Sequence, residues 1–213
     1  MLRKEKVYTS LCALLAVVMV AENLVYQKFV DVSVFGLLQV QLSVGAIIYP
    51  VTFMISDVTT ELFGADYARY GMRQAMCLTI FTSLLVMLMA ILPATSWSRV
   101  DQETFIRVFG LSGVGIFASV VAGYIAQSVD IAIYSRMKAV TSDRYLWLRS
   151  NVSMLTSLLV DTACVLGILC AFGVFPMDQW FNLVKGSFSY KAVFAVCSTP
   201  LFYLVIRSLK KLI

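Results

Sequence analysis

The sequence predicts an all-α integral membrane protein, with six transmembrane helices in a single transmembrane domain over residues 1–213. Three observations support this fold class. Hydrophobic residues make up 60% of the chain and charged residues only 14%, whereas soluble domains carry about a quarter charged residues. The mean hydropathy is +0.86. The apolar residues also fall into long runs, and we find none of the short alternating segments that a β-barrel needs.

Six apolar runs have the length of a membrane span. They cover residues 7–27, 34–55, 75–93, 105–134, 152–175 and 188–207. At 1.5 Å per residue, about 20 residues cross a hydrocarbon core about 30 Å thick. Because backbone groups in lipid must bond within their own segment, the runs are predicted to be helices. The first run lacks a small-x-small cleavage signature, so we predict a retained span rather than a signal peptide.

The basic residues predict the orientation of the bundle. One side of a six-span topology receives twelve of them: Arg3, Lys4, Lys6, Arg69, Arg73, Arg136, Lys138, Arg144, Arg149, Arg207, Lys210 and Lys211. The other side, or the helix ends facing it, receives five: Lys28, Arg99, Arg107, Lys185 and Lys191. Lysine and arginine accumulate in cytoplasmic loops, so both termini are predicted to be cytoplasmic. The net charge of +5 follows from this topology, and no nucleic-acid partner is expected.

Cysteine and histidine usage excludes several function classes. Histidine is absent, which removes zinc-peptidase motifs, serine–histidine proteolysis and histidine proton relays. The five cysteines lie in apolar runs without a C-x-x-C pair, so they are expected to be small packing residues. A P-loop motif is also absent, so the chain is not expected to hydrolyse ATP by itself. We predict neither a metal nor a cofactor.

Polar residues inside the spans carry the functional information. A charged side chain at mid-bilayer costs about 2.5–3.5 kcal/mol and therefore faces a bundle interior or water. In the first span, Glu22 and Asn23 lie toward the outer end. They either bind a polar solute or mark the membrane interface.

The second span ends in YPVTFMISDVTTELFG. Helical spacing places one set of residues on a common face: Tyr49, Thr52, Phe53, Ser56, Asp57, Thr60 and Glu61. Pro50 predicts a kink that frees a backbone carbonyl, and Gly64 predicts the end of the helix. The two carboxylates either line a cavity or gate, or form ion pairs with Arg69 and Arg73 at the cytoplasmic end.

The fourth and fifth spans add two further polar faces. In GYIAQSVDIAIYSRMK, a common face is predicted for Gly123, Gln127, Asp130 and Tyr134. The structural alternative for Asp130 is an ion pair with Arg136 or Lys138. The fifth span carries one stripe, made of Ser150, Ser153, Ser157 and Asp161. Asp161 lies near mid-membrane with no basic residue within a turn, so a structural ion pair would need a partner from another span.

Four spans thus direct amide or carboxylate groups inward, which suits a solute rich in hydrogen-bond donors. A carboxylate accepts two parallel bonds from a ring N–H and an exocyclic amine, while an amide serves a carbonyl and a ring nitrogen. An aromatic side chain could stack on the ring, and a second carboxylate could hold a cationic amine. A purine-like base fits this chemistry, and so would other polar amines.

Three segments, in order and each on its expected span, resemble the queuosine precursor transporter family, also called the vitamin uptake transporter family. They are YPVTFMISDVTTELFG, AQSVDIAIYSRMK and LRSNVSMLTSLLVDT, and the resemblance covers roughly residues 22–172. It implies a multi-pass protein of the bacterial inner membrane that is not an enzyme. It implies import of 7-deazaguanine bases (preQ0, preQ1 or queuine) for tRNA modification. It also implies a bundle similar to the substrate-binding subunits of energy-coupling-factor vitamin transporters.

The resemblance implies site residues position by position. The matching positions for substrate binding are Asn23, Tyr49, Asp57, Gln127, Asp130 and Asp161. A gate or a secondary role is expected for Glu22, Glu61, Ser157 and Thr162. Asp57 is expected to line the cavity or its cytoplasmic gate, while Glu61 steadies the following loop through Arg69. Glu22 departs from the family pattern, in which a small residue is common.

Three alternative interpretations remain open from the sequence. A vitamin-binding subunit with a separate ATP-driven partner commonly has small residues four apart in the first span, whereas Ala13 and Ala16 are three apart. A membrane scaffold without transport activity would bear four costly inward polar groups. An intramembrane aspartyl protease would need Y-D and G-x-G-D motifs, which SDV, VDI and VDT do not match. The small residues of the fourth span, Gly113, Gly115 and Ala118, would permit a homodimer.

Overall fold

The computed structural model describes residues 3–34, 38–110, 113–141 and 145–212. They form α1 (Arg3–Val25), β1 (Phe29–Val34), β2 (Leu38–Ser43), α2 (Val44–Ile48), α3 (Pro50–Phe63), α4 (Ala65–Met89), α5 (Gln102–Phe109), α6 (Gly113–Thr141), α7 (Leu146–Ala171) and α8 (Trp180–Lys210). Within these residues, six helical segments are long and apolar enough to cross a membrane. They are α1, α2 with α3, α4, α5 with α6, α7 and residues 177–210. The predicted six-span, all-α class is confirmed.

The second span begins later than predicted. Strands β1 and β2 pair antiparallel, from Phe29 opposite Ser43 to Val34 opposite Leu38, and the helix starts only at Val44. The two segments read VDVSV and LQVQLS, in which apolar and polar residues alternate. That period of two is typical of a strand. The expectation of no alternating segments was therefore wrong for this hairpin.

Proline and glycine divide the central spans as predicted. The second span breaks into α2 and α3 at Pro50, and the Thr52 hydroxyl donates to the Tyr49 carbonyl (2.7 Å) beside the break. Gly64 ends α3 with φ 96° and ψ 168°, and α4 begins at the next residue. The third span therefore starts at residue 65 rather than 75, and the fourth is interrupted near Gly110, between α5 and α6.

Helix α3 lies at the centre of the bundle. It packs against α1, α4, α6, α7 and α8. Its polar residues are all buried: Thr52, Ser56, Asp57, Thr59, Thr60 and Glu61. Residues of α3 belong to two apolar clusters, one around Met72 and Phe202 and a smaller one around Phe53 and Leu158. Because α3 is surrounded, its carboxylates face neighbouring helices rather than lipid.

Candidate functional site

Buried polar residues form a column along the axis of the bundle. Tyr8 of α1 donates to the Tyr67 carbonyl of α4 (3.0 Å), and Lys210 of α8 contacts Glu61 (3.4 Å), so these helix ends share one side, the terminal side. The β1–β2 hairpin marks the opposite side of the bundle, which we call the hairpin side. Successive turns of α3, α6 and α7 place the polar residues in three clusters. We call them the hairpin-side, central and terminal-side clusters.

The hairpin-side cluster centres on Asp161. The Tyr49 hydroxyl donates to its Oδ1 (2.6 Å), and the Lys191 ammonium donates to its Oδ2 (2.9 Å) and to Thr162 Oγ1 (3.0 Å). Lys191 also lies 5.0 Å from the centre of the Tyr49 ring. The partner of Asp161 therefore comes from another span, α8. Lys191 was assigned to the outer membrane side, but it is only 6% exposed inside the bundle.

Glu22 and Asn23 belong to the same cluster and differ in their partners. The Asn23 amide donates to the Met19 carbonyl (2.8 Å), and its Oδ1 accepts from Ser119 (3.2 Å). Glu22 is 7% exposed, and its Oε2 accepts no hydrogen bond from any residue that the structure describes. Glu22 lies within electrostatic range of Asp161 and Lys191. Glu22 is therefore buried inside the bundle beside Asp161 and Lys191.

A small cavity lies beside the hairpin-side cluster. Its lining residues are Met19, Glu22, Asn23, Tyr49, Met76, Thr79, Ser119, Val120 and Gly123. Its volume is about 20 Å³, which is enough for a single water molecule. A ring-sized solute does not fit in this cavity.

The central cluster is built around two carboxyl groups, Asp57 of α3 and Asp130 of α6. Both are fully buried and lie within hydrogen-bonding reach of each other. A serine ladder on α7 lines them: Ser150 donates to Asp57 Oδ2 (2.8 Å), Ser153 lies 3.4 Å from Asp57 Oδ1 and Ser157 lies 3.3 Å from Asp130 Oδ1. Ser153 and Ser157 share their hydroxyl hydrogens between these carboxyl groups and the backbone carbonyls one turn earlier (3.1 and 2.7 Å). The two aspartates and the ladder, predicted on separate spans, thus meet in one place.

The alternative ion pairs of the two aspartates are not formed among the described residues. Arg69 pairs instead with Asp66 (3.0 Å), and Lys138 pairs with Glu61. Gln127 completes the central cluster, since its Nε2 donates to Thr52 Oγ1 (3.1 Å). Its Oε1 is buried and accepts no hydrogen bond within the described part of the chain.

The terminal-side cluster surrounds Glu61. Arg149 Nη2 lies 2.8 Å and Lys138 Nζ 3.5 Å from Glu61 Oε2, and Lys210 Nζ lies 3.4 Å from Oε1. The Tyr134 hydroxyl also donates to Oε2 (3.1 Å), and the Arg149 guanidinium stacks 5.6 Å from the Tyr134 ring centre. The expected pair between Glu61 and Arg69 is therefore wrong. Glu61 instead ties together α3, α6, α7 and α8.

Sequence reasoning missed Lys191 and Arg149 as members of the polar column. Counting positive charges on each side treats lysine and arginine as loop residues, and Arg149 stands at the start of α7, where such residues are common. Lys191 carried a usable signal, because it stands in the apolar segment FSYKAVFAV. A lysine so placed is expected to face the bundle interior and to pair with a carboxylate or with backbone carbonyls.

The structure combines six membrane-spanning helices with a buried column of carboxyl, amide and hydroxyl groups. Such an architecture is typical of a transporter of polar solutes. Residues 43–205 match the family described as "Putative vitamin uptake transporter", and the chain belongs to this family. The chain is 28% identical over 173 residues to the "Probable queuosine precursor transporter" of Bacillus subtilis (strain 168). The aligned region covers 81% of this chain and 73% of the relative. No solved structure matches the chain.

These comparisons confirm several predictions. The family and the named relative agree with a transporter rather than an enzyme, and with a multi-pass protein of a bacterial membrane. The matched region contains most of the polar column, although it begins after Glu22 and Asn23. The resemblance found in three short segments of sequence therefore extends to most of the chain.

Proposed function

We propose that this protein imports queuosine precursors, 7-deazaguanine bases such as preQ0, preQ1 or queuine, across the bacterial inner membrane. Family membership and the name of the Bacillus subtilis relative support transport of this class of solute. The chemistry of the polar column supports a base with many hydrogen-bond donors.

The observation that carries this proposal is the presence of buried acceptors that lack donors. Glu22 Oε2 on α1 and Gln127 Oε1 on α6 accept no hydrogen bond from the residues placed by the structure. A buried group without a partner costs about 1–3 kcal/mol. A 7-deazaguanine ring carries two ring N–H groups and an exocyclic amine, so its binding would satisfy such acceptors.

Each predicted site residue has a role in this proposal. Asp161 accepts a pair of N–H bonds from the base while Lys191 balances its charge. Tyr49 stacks on the ring, and Asn23 and Gln127 bind ring edges from opposite helices. Asp57 and Asp130 form the next binding position along the column. Ser157 and Thr162 act through others, since Ser157 donates to Asp130 and Thr162 accepts from Lys191.

The closed cavity requires the bundle to open before a base can enter. On the hairpin side, Gln27 donates to the Gly110 carbonyl (3.2 Å) and Ser119 donates to Asn23. On the terminal side, Glu61 and its cationic partners hold four helices together. We assign these contacts to two gates that open alternately around a central site.

The test is restoration of queuosine in tRNA. The chain is expressed in bacteria that lack both synthesis of the base and their own importer, and each 7-deazaguanine base is supplied separately at low concentration. Modified tRNA is expected with wild type and with Asp178→Asn, an exposed aspartate on the hairpin side. It is not expected with Asp161→Asn. The amount of each variant in the membrane is measured in parallel.

A failure with every base would contradict the proposal, provided that the protein is in the membrane and the downstream enzymes are active. In that case, purification from native membranes with an associated ATPase would favour the partner-dependent vitamin subunit. Normal modification with Asp161→Asn would remove Asp161 from the binding site while leaving the import activity standing.

A further inference from the structure

We propose that Glu22 makes this site selective for substrates that carry a positive charge, by holding an ammonium group beside the base-binding residues. The inference rests on the proposed function and specifies its substrate class. It separates precursors that share one ring system, since an aminomethyl group is cationic at neutral pH while a nitrile is neutral.

The position of Glu22 is the first step. It lies near the end of α1, lines the cavity and is 7% exposed. Its Oε2 accepts no hydrogen bond from the described residues, whereas the neighbouring Asn23 uses both ends of its amide. A carboxyl oxygen this well buried is expected to have a donor. A single water molecule has room to supply that donor in the small cavity, and in the loaded site we assign this role to the transported solute.

The charges around Glu22 are the second step. The hairpin-side cluster contains two carboxyl groups, Glu22 and Asp161, and one cation, Lys191. Lys191 directs its hydrogen bonds to Asp161 (2.9 Å) and Thr162 (3.0 Å) and packs over the Tyr49 ring. Its hydrogen bonds are thus committed to Asp161 and Thr162, and Glu22 forms no ion pair with a cation among the described residues. A carboxyl group in such a low-dielectric setting takes up a proton unless a counter-charge is present, so an ionised Glu22 needs a cation beside it.

The kind of cation is the third step. The described residues contain no group of three or more cysteine, aspartate or glutamate side chains able to hold a metal ion. A single carboxylate is instead a good partner for an ammonium group, which brings three N–H donors. With the ring of the base on Asp161 and Asn23, a short aminomethyl arm is the part of the substrate assigned to Glu22.

The experiment measures the affinity of the purified full-length protein, reconstituted in lipid nanodiscs, for three ligands. They are the 7-aminomethyl, 7-nitrile and neutral 7-hydroxymethyl forms of 7-deazaguanine. Wild type is expected to bind the aminomethyl base about tenfold or more tightly than either neutral base, which is the range of a charge-assisted hydrogen bond. Glu22→Gln is expected to lose most of that preference by weakening only the aminomethyl base. The matched control is Glu103→Gln, because Glu103 is an exposed residue of α5.

The outcomes separate the inference from the function on which it rests. Equal affinity of wild type for the aminomethyl and hydroxymethyl bases would overturn the inference and leave base transport intact. A preference that persists in Glu22→Gln would assign the selectivity to another residue and would also overturn it. Folded wild type that binds none of the three bases would overturn the proposed function itself. The wild-type comparison needs no variant, so it can still overturn the inference if Glu22→Gln does not fold.

Discussion

Asp161 and Lys191 form a buried ion pair whose two members come from different spans. Their side chains are 6% and 7% exposed, and Nζ and Oδ2 are 2.9 Å apart. In such a pair, the desolvation of both charges offsets much of their attraction, so the pair itself adds little stability. The removal of one member is costly because it leaves the other charge buried and alone.

This balance predicts the behaviour of a double-mutant cycle. Asp161→Asn and Lys191→Met are each expected to lower the free energy of unfolding by about 3–5 kcal/mol. The double variant is expected to lose much less than the sum, because neither charge is left unpaired. Thermal unfolding in detergent compares the stability of the wild type, the two single variants and the double variant. Additive losses would show that the two charges do not depend on each other.

Glu61 and Asp66 allow a matched comparison of two carboxylates that are close in sequence. The Glu61 side chain is 1% exposed and contacts three cations, whereas Asp66 is 95% exposed and pairs with Arg69. Glu61→Gln is expected to lower the free energy of unfolding by about 3 kcal/mol or more. Asp66→Asn is expected to change it by less than about 0.5 kcal/mol. Similar losses in the two variants would show that the contacts of Glu61 do not stabilise the fold.

At this scale, the sequence identifies polar residues better than their partners. Asp57, Asp130 and Asp161 could be found because each is a carboxylate inside an apolar run. Their contacts depend on which helices are neighbours and on the rotation of each helix. Single-sequence periodicity gives neither quantity, so the Glu61 pair with Arg69 was predicted from proximity along the chain and was wrong.

At the scale of elements, Gly64 sets the junction between α3 and α4. Its backbone angles, φ 96° and ψ 168°, lie in a region that is essentially restricted to glycine. A Cβ atom added at Gly64 would have no heavy atom within 4 Å. The need for glycine is therefore conformational and does not arise from crowding.

Two glycine substitutions separate these effects. Gly64→Ala is expected to lower the free energy of unfolding by about 1–3 kcal/mol because alanine must adopt a strained backbone conformation. Gly186→Ala, in the interior of α8, also meets no atom within 4 Å. It is expected to raise the free energy by about 0.5–1 kcal/mol because alanine favours the helix. Chemical denaturation measures the free energy of unfolding of both variants. Changes in the same direction would contradict the prediction.

The β1–β2 hairpin shows how an element can be missed although its pattern is present. The alternating residues of VDVSV and LQVQLS adjoin a long apolar run, and the run was extended back over them. Length and mean apolarity then favoured a helix, while the local period favoured a strand. Pro50 and Gly64 were predicted correctly because their effects on the backbone are local.

At the scale of the whole molecule, the gate that we propose on the terminal side is centred on Glu61, which contacts three neighbouring helices. We expect Glu61→Gln to open this side and expose the central cluster. A cysteine at Ser153, in a chain freed of its five native cysteines, reports this exposure. Labelling by a water-soluble thiol reagent is expected to be several-fold faster with Glu61→Gln than with Glu61 intact. Equal rates would place the gate elsewhere.

The orientation of the molecule remains a prediction from the distribution of basic residues. Green fluorescent protein fused after Ile213 is expected to fluoresce, because the C-terminus is predicted to be cytoplasmic. Alkaline phosphatase at the same position is expected to be inactive, since it requires the periplasm. The reverse pattern would invert the bundle and turn the terminal-side cluster into the outer gate.

The single-residue junction at Gly64 also has a consequence for biogenesis. The span formed by α2 and α3 is the least hydropathic of the six, since it carries the polar face of the column. On its own, it is the span with the weakest tendency to partition from the translocon into lipid. Because Gly64 alone connects it to the more apolar α4, the two segments have little freedom to take independent orientations. We therefore expect the two segments to insert together, with the more apolar α4 favouring entry of the helix on which the polar column is built.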